Sequence, residues 1–429
     1  MKKMMACILA FTMAFLTGCA GEALPDTYLE DSDYQYTQWT SGVFYPKLQQ
    51  GSGVVYLFHD GFVYYLEEGT EAIMPLCGRA DCLHDREPEE EKRKDCNAYM
   101  GTYEGSHRLA WVNAAMAKCG DFLYCMNEIL SLNDPQTLLR CSLDGTIKET
   151  VYTWDSGESA IVEWIIHRDT LYYVETRYYL DEEGETLREV SLKALPLLRR
   201  RAKPVTLYTA DENLTVISMG NFKAYGNFVY FDIVAIWKGG GENETLEELY
   251  ARHFDKTLVY SIRDGSVETL DIPGLPVSAS IADVQFWQDR LILAPYDGMK
   301  AGDALMPVYI AGLDGSDPQI LFEGVPQESC FLSDGEYLYL FHNWMPDIDD
   351  WLSNPGFYTV YDKNLNIVDT FTAPLLPNGR AGQMPAGGKD RMYFLYEDYG
   401  TGEWGVMRWD KSGIGSYGGE EIQVEYIRR

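Results

Sequence analysis

The stretch "LVYSIRDGSVETLDI", residues 258–272, carries runs of strand-forming residues on both sides of Asp264-Gly265. Such runs suit a half-buried pleated surface, and Asp-Gly supplies the positive φ angles of a tight hairpin turn. The stretch is therefore a β-hairpin, and its aspartate belongs to turn chemistry rather than to a calcium site. The same unit recurs as "FVYYLEEGTEAIMPL" (62–76), "LLRCSLDGTIKETVYT" (138–153) and "VSLKALPLLRRRAKPVTLYT" (190–209). It returns as "PVYIAGLDGSDPQILF" (307–322), "FYTVYDKNLNIVDTF" (357–371) and "GVMRWDKSGIGSYGGEEIQVEYI" (405–427). Asp144-Gly145 and Asp314-Gly315 repeat the turn dipeptide. Seven copies start roughly fifty residues apart, the period of radially repeated sheets.

A second hairpin precedes each copy, with strands such as "GDFLYCM" (120–126), "RDTLYYVE" (168–175), "GNFVYFDI" (226–233) and "KDRMYFLY" (389–396). Two hairpins make four antiparallel strands, and one such sheet cannot bury both its faces unaided. Radial packing buries them. Residues 40–429 are thus expected to form an all-β fold, a single seven-bladed β-propeller. Six or eight blades are the alternatives, because "VFYPKLQQGSGVVYLFHDG" (43–61) must complete the first unit from weaker sequence. Strand alternation is expected to put mostly Tyr, Leu, Val and Phe near the axis. The joins from second to third strand are long, at 178–189, 236–257, 296–306 and 342–356. In a propeller these joins open on the face that carries the blade-to-blade connections, so the elaboration gathers on one side.

One connection holds "PLCGRADCLHDREPEEEKRKDCNAY" (75–99), in which Cys77, Cys82, His84 and Cys96 are spaced C-x4-C-x-H-x11-C. Three thiolates and an imidazole suit a tetrahedral zinc ion, and four protein ligands would leave no open coordination position. A disulfide staple is the other reading. Seven cysteines follow Cys19, an odd number that cannot all pair within the chain, and Cys119 is a candidate partner for one of the three. Cys125 and Cys141, on consecutive strands, either face each other or are buried thiols. Either staple would fix a loop too small for a core of its own. The expected position of the segment is the elaborated face.

The compartment follows from the first residues. Lys2 and Lys3 precede an apolar run from Met4 to Leu16, and Leu16-Thr17-Gly18-Cys19 completes a bacterial lipoprotein signal. The run is short for a membrane span. Residues 1–18 are read as a signal peptide and Cys19 as the lipidated mature terminus, holding the protein on the extracytoplasmic face of the cell membrane. Residues 19–39 are acidic and aperiodic, as a tether would be. A formal charge of −31 and a pI near 4.5 exclude nucleic acid as a partner by repulsion. The small basic run at 197–203 reads as a solvated hairpin tip.

The lipobox, the tyrosine-rich repeats and above all "PLCGRADCLH" with "DCNAY" resemble a family of uncharacterised β-propeller lipoproteins of Gram-positive bacteria. Its domain of unknown function is named for likeness to the propeller of low-density-lipoprotein receptors. The resemblance covers nearly all of the chain after Cys19. It implies the fold and the address, and no activity.

Other motifs fail on context. "GIGSYG" (413–418) matches G-x-G-x-x-G but lies between two strands and opens no helix, which a dinucleotide pyrophosphate requires. The histidines His59, His107, His167, His253 and His342 are scattered; His107 is a spare ligand candidate by proximity. "TLEELYARHF" (245–254) reads as a short helix with Thr245 and Glu248 as capping box, packed on the rim. In "NWMPDIDDW" (343–351), Trp344 and Trp351 flank Asp347, Asp349 and Asp350, a pattern suited to a sugar or to calcium. The expected function is a non-enzymatic surface module binding an extracellular glycan, peptide or envelope protein. The alternative, a glycosidase or lyase, needs two or three acids converging near the axis with at least one shielded from water.

Overall fold

The structure is a computed structural model describing residues 25–29, 33, 48–51, 53–101, 116–126, 135–154, 159–180, 186–199, 201–239, 245–276, 278–300, 303–327, 329–342, 357–372, 374, 385–387, 390–398 and 401–429. Their strands form seven antiparallel sheets of four consecutive strands each. Blade 1 comprises β1 (Leu48–Gly51), β2 (Val54–His59), β3 (Phe62–Glu67) and β4 (Ile73–Pro75). Blade 2 comprises β5 (Met116–Cys119), β6 (Phe122–Met126), β7 (Thr137–Ser142) and β8 (Lys148–Thr153). Blade 3 has β9 (Ser159–His167), β10 (Thr170–Leu180), β11 (Thr186–Pro196) and β12 (Val205–Thr209). Blade 4 has β13 (Leu214–Tyr225), β14 (Phe228–Trp237), β15 (His253–Ser261) and β16 (Val267–Thr269). Blade 5 follows with β17 (Ala279–Trp287), β18 (Arg290–Asp297), β19 (Leu305–Ala311) and β20 (Gln319–Pro326). Blade 6 is β21 (Cys330–Ser333), β22 (Leu338–His342), β23 (Phe357–Tyr361) and β24 (Ile367–Thr372), and blade 7 is β25 (Pro385–Gly387), β26 (Arg391–Asp398), β27 (Glu403–Asp410) and β28 (Val424–Arg428).

The first strands line the axis: β1, β5, β9 and β13 touch in succession, β17 meets β21, and β25 meets β1 to close the ring. Among the described residues every blade uses its own four consecutive strands, and none is exchanged between blades 7 and 1. The apolar core is divided accordingly into seven clusters, one at each blade boundary. Both faces of each sheet are buried against neighbours, which is the hydrophobic return that a lone sheet lacks. The strands read as preceding hairpins stand second from the axis, and β1–β2 complete the first unit as expected.

Sheet twist adds a regular joint between blades. Right-handed twist turns the outermost strand away from the direction of the innermost. Its exit leans on the third-to-fourth turn of the next blade. Thus Gly78 N, just past β4, donates to Gly145 O at 2.9 Å, and Gly419 N donates to Thr370 O of β24 at 2.8 Å. Trp154, at the exit of blade 2, packs with Leu197 and Ala202 of blade 3.

The axis differs from the sequence expectation. Beside buried apolar residues such as Ile161, Met219, Val284 and Phe331, the first strands of blades 3–6 carry a polar chain that runs from blade to blade. Glu163 of β9 accepts the N–H of Asn221 in β13, whose side-chain amide donates to Asp232 of β14. Lys223, buried in β13, donates to Asp283 of β17 at 2.5 Å, and Asp283 also accepts the N–H of Phe331 in β21. Gln285 closes the run on Phe331 O at 2.9 Å. The β-bulge between Gly220 and Lys223, with Asn221 at φ +54°, lets β13 aim these groups sideways. Each of these residues makes at least one hydrogen bond, which offsets its burial, although Asn221 Oδ1 is buried without one.

Residues 19–39 read as an acidic tether, and within that range Asp26–Leu29 and Asp33 dock on the first-to-second turns of blades 3, 4 and 5. Asp33, only 2% exposed, takes Arg168 Nε at 2.6 Å and the Gly226 N–H at 3.1 Å. Asn227 donates to Asp26 at 2.8 Å, and Tyr28 packs on Tyr225 with ring centroids 5.6 Å apart. Gly226, at φ +58°, is needed here, because a Cβ would overlap the Asp26 carbonyl.

Smaller readings agree with the structure. Thr245 and Glu248 cap the helix Leu246–Ala251 reciprocally, at 2.9 and 3.2 Å. Residues 197–199 and 201–203 lie in the turn between β11 and β12. The glycine-rich stretch 413–418 has its N–H groups engaged by a carboxylate: Gly415, Tyr417 and Gly418 donate to Asp369 at 2.7–3.2 Å. Among the described residues no helix is long and apolar enough to cross a membrane.

Burial raises the Asp232 carboxyl to about 7, while Thr257, Asn221 and Lys223 restrain it. A carboxyl raised on folding contributes stability that is complete below its unfolded value near 3.8 and is lost as pH rises to about 7. Asp232→Asn should therefore gain on the wild type between pH 4 and 7 and hold a constant difference above. Paired thermal melts across that range measure it, and parallel curves would contradict it.

Candidate metal centre

Blade 1 ends at β4, and the chain then crosses to blade 2 through the Cys/His segment. The ligand atoms of Cys77, Cys82, His84 and Cys96 all lie within 4.8 Å of one another. A tetrahedral zinc with metal–sulfur bonds of about 2.3 Å and a metal–nitrogen bond of about 2.0 Å spaces its ligand atoms roughly 3.5–3.8 Å apart. Cys96 Sγ and His84 Nδ1 stand at 3.6 Å. The four side chains thus form a cluster able to hold a metal ion, and no disulfide links its cysteines.

The backbone is arranged for thiolates. Cys77 receives the N–H groups of Arg79 and Asn97, Cys82 that of His84 at 3.4 Å, and Cys96 that of Ala98. Each sulfur is therefore hydrogen-bonded by the amide two residues on, and such donors favour a charged sulfur over a neutral one. Burial pushes the Cys77 thiol up, but these amides and the neighbouring thiols bring it below its ordinary value. Cys96, almost wholly buried, is pushed up by burial and by its sulfur neighbours. Burial, with Arg429 and Arg86, also lowers His84, keeping its ring neutral as a ligand must be. His84 takes φ +56°, a left-handed conformation that only a few non-glycine residues adopt readily.

A second layer holds the first. Asp85 accepts from Tyr64 OH at 3.2 Å and from Arg429 at 2.8 Å. Lys148 of β8 donates to the carbonyls of Lys94, Cys96 and Tyr99 at 2.5, 2.7 and 3.1 Å. Asn97 reaches Gly145 O and Thr146 O at 2.8 and 3.0 Å. These contacts put the segment at the outer rim, between β4 and the third-to-fourth turn of blade 2. Its exit from blade 1 was foreseen, but the fold-back onto blade 2 was not, since the twist-driven joint is a property of the assembled ring.

The other singled-out positions sort simply. Cys119 does not join the cluster: its Sγ donates to Asp169 at 3.3 Å in blade 3. Cys125 and Cys141 are buried thiols, both raised chiefly by burial. Cys19, His107, Trp344, Asp347, Asp349, Asp350 and Trp351 lie outside the described residues. Asp85, Asn97, Gly145 and Lys148 escaped the sequence reading, although Asp85 adjoins a ligand and Gly145 stood out as a turn residue.

Gly145, at φ +70°, is required twice. A Cβ there would sit 2.8 Å from the backbone of Leu76 and Cys77, at the entrance to the cluster. Gly145→Ala should cost about 1–3 kcal/mol. Urea unfolding should show a lower midpoint for this variant, whereas Gly265→Ala, at φ +69° but in open space, should lose less.

No protein-family profile matches the chain, and no curated protein is similar to it in sequence. Solved structures do share its shape. A prolyl endopeptidase superposes with a TM-score of 0.51 at 12% identity over 92% of this chain. The chain spans about half of that structure, 51% of its length. An oligogalacturonate lyase from Vibrio parahaemolyticus gives a TM-score of 0.46 at 11% identity over 87% of each chain. An uncharacterised protein from Listeria monocytogenes gives 0.42 at 10% identity, over 72% of this chain and 79% of the other. These likenesses concern the propeller alone.

Proposed function

We propose that the protein is a lipid-anchored propeller of the extracytoplasmic membrane face, a binding module whose long second-to-third joins point away from the bilayer. It belongs, in this reading, with the uncharacterised propeller lipoproteins that its Cys/His segment resembles. The amino-terminal dock carries the reading. Asp26–Leu29 and Asp33 are fixed to the first-to-second turns of blades 3–5. Six residues lie between Cys19 and Asp26, and the seven chain steps that join them span at most about 25 Å. A lipid on Cys19 would hold those turns toward the membrane. Antiparallel order puts the second-to-third joins at the opposite end, free to meet a glycan, peptide or envelope protein. Trp344, Asp347, Asp349, Asp350 and Trp351 on one such join are its recognition residues.

The Cys77, Cys82, His84 and Cys96 cluster holds a single structural zinc in this reading, because three sulfurs and one nitrogen complete a tetrahedron and leave no position for substrate. Bound there, zinc supplies cross-linking of a segment that has little core of its own.

An enzymatic second reading is favoured by one observation. Glu163 and Asp232 flank Asn221 beside the axis, and Asp232 is shielded and raised to about 7, as a general acid would be. Against it, Asp232 is already engaged by Asn221 and Thr257.

Two experiments test these readings. In vesicles with headgroup quenchers, a fluorophore replacing Asp264, on the docked face, should be quenched more than one replacing Met299 on the opposite face; the reverse order would overturn the orientation. On a panel of acidic and neutral oligosaccharides, the protein should retain ligand without turnover and Trp344→Ala should weaken retention. Cleavage that disappears in Asp232→Asn would establish the enzymatic reading instead.

A further inference from the structure

We infer that the metal centre is the clasp that closes the ring. This rests on the cluster holding a metal, and adds what the metal holds together. Among the described residues blades 7 and 1 share no strand, so their junction shows no backbone ladder of the kind an exchanged strand would supply. The Cys/His segment occupies that junction. Cys96, Ala98 and Tyr99 belong to the same buried cluster as Tyr393, Leu395, Trp404, Val406 and Ile427 of blade 7, with Cys77 and Cys82 packed against it.

Its polar contacts reach all three neighbouring blades. Toward blade 7, Asp85, next to the ligand His84, receives Arg429, the residue after β28, at 2.8 Å. Arg429 in turn donates its N–H to Trp404 O at 3.0 Å, and its guanidinium lies over the Tyr64 ring. Toward blade 1, Val63 N donates to Ala98 O and Met100 N to Gly61 O, both at 2.8 Å. Toward blade 2, Gly78, Asn97 and Lys148 make the contacts described above. A metal joining Cys77, Cys82, His84 and Cys96 therefore ties the segment's start, middle and end into one body. That body grips blade 7 by Asp85, blade 1 by residues 98–100, and blade 2 by residues 78 and 97. Without the metal, the segment keeps these contacts only as separate weak ones, and the junction opens ahead of the rest of the ring.

Hydrogen exchange read by mass spectrometry on the purified protein, with and without a zinc chelator, tests this, with native mass spectrometry recording metal content. The expected result is one zinc per chain, and on its removal at least about tenfold faster exchange in β3, β4 and β28, while β14 and β18 stay protected. Arg429→Ala should keep the zinc and speed exchange in β28 alone. Zinc that is bound, but whose removal changes exchange only within residues 77–99, would overturn the clasp and leave the metal site standing. A chain that binds no zinc would overturn the metal reading and the clasp together.

Discussion

A four-stranded sheet has two faces to bury and can do so only against other sheets. That constraint governs this molecule. Every apolar cluster lies across a blade boundary, so no blade has a core that is its own, and the stability of each depends on the ring being shut. Seven sheets succeed where one would fail because closure removes the two exposed end faces. The junction between the last blade and the first is where the chain must complete this without covalent continuity.

The two departures from simple alternation both serve the boundaries. On the first strands, hydrogen bonds made by Glu163, Asn221, Lys223, Asp283 and Gln285 stitch consecutive blades. At the rim, twist brings each outermost strand onto the following blade's turn. In the first connection that contact is enlarged into the Cys/His segment. Inner stitching is polar and directional, outer packing is broad and apolar, and the Cys/His cluster stands where sequence continuity is absent.

The fold was legible because its signals are local. Asp144-Gly145, Asp264-Gly265 and Asp314-Gly315 announce hairpins whatever surrounds them, and their spacing announces the ring. The ligand set was legible for the same reason: cysteine and histidine are rare in this chain and stand close together in sequence. What escaped is what only assembly creates. Asp33 reads as one more acid in an acidic tether, and its burial depends on Arg168, far along the chain. Asp232 sits visibly inside "FVYFDI", an acid in an apolar strand, but nothing local says that Asn221 and Thr257 will receive it. Lys148 and Gly145 look like an ordinary strand start and turn, and become supports of the cluster only once blade 2 lies beside blade 1.

The amino-terminal dock and the seam between blades 7 and 1 lie on different sides of the ring. A pull on the chain upstream of Asp26 is taken up through Arg168, Asn227 and Tyr225, in blades that are continuous with their neighbours. A force on this segment thus enters through a continuous arc of the circle and bypasses the seam where its two ends meet, so that it would strain the segment's own contacts before it pried the ring apart.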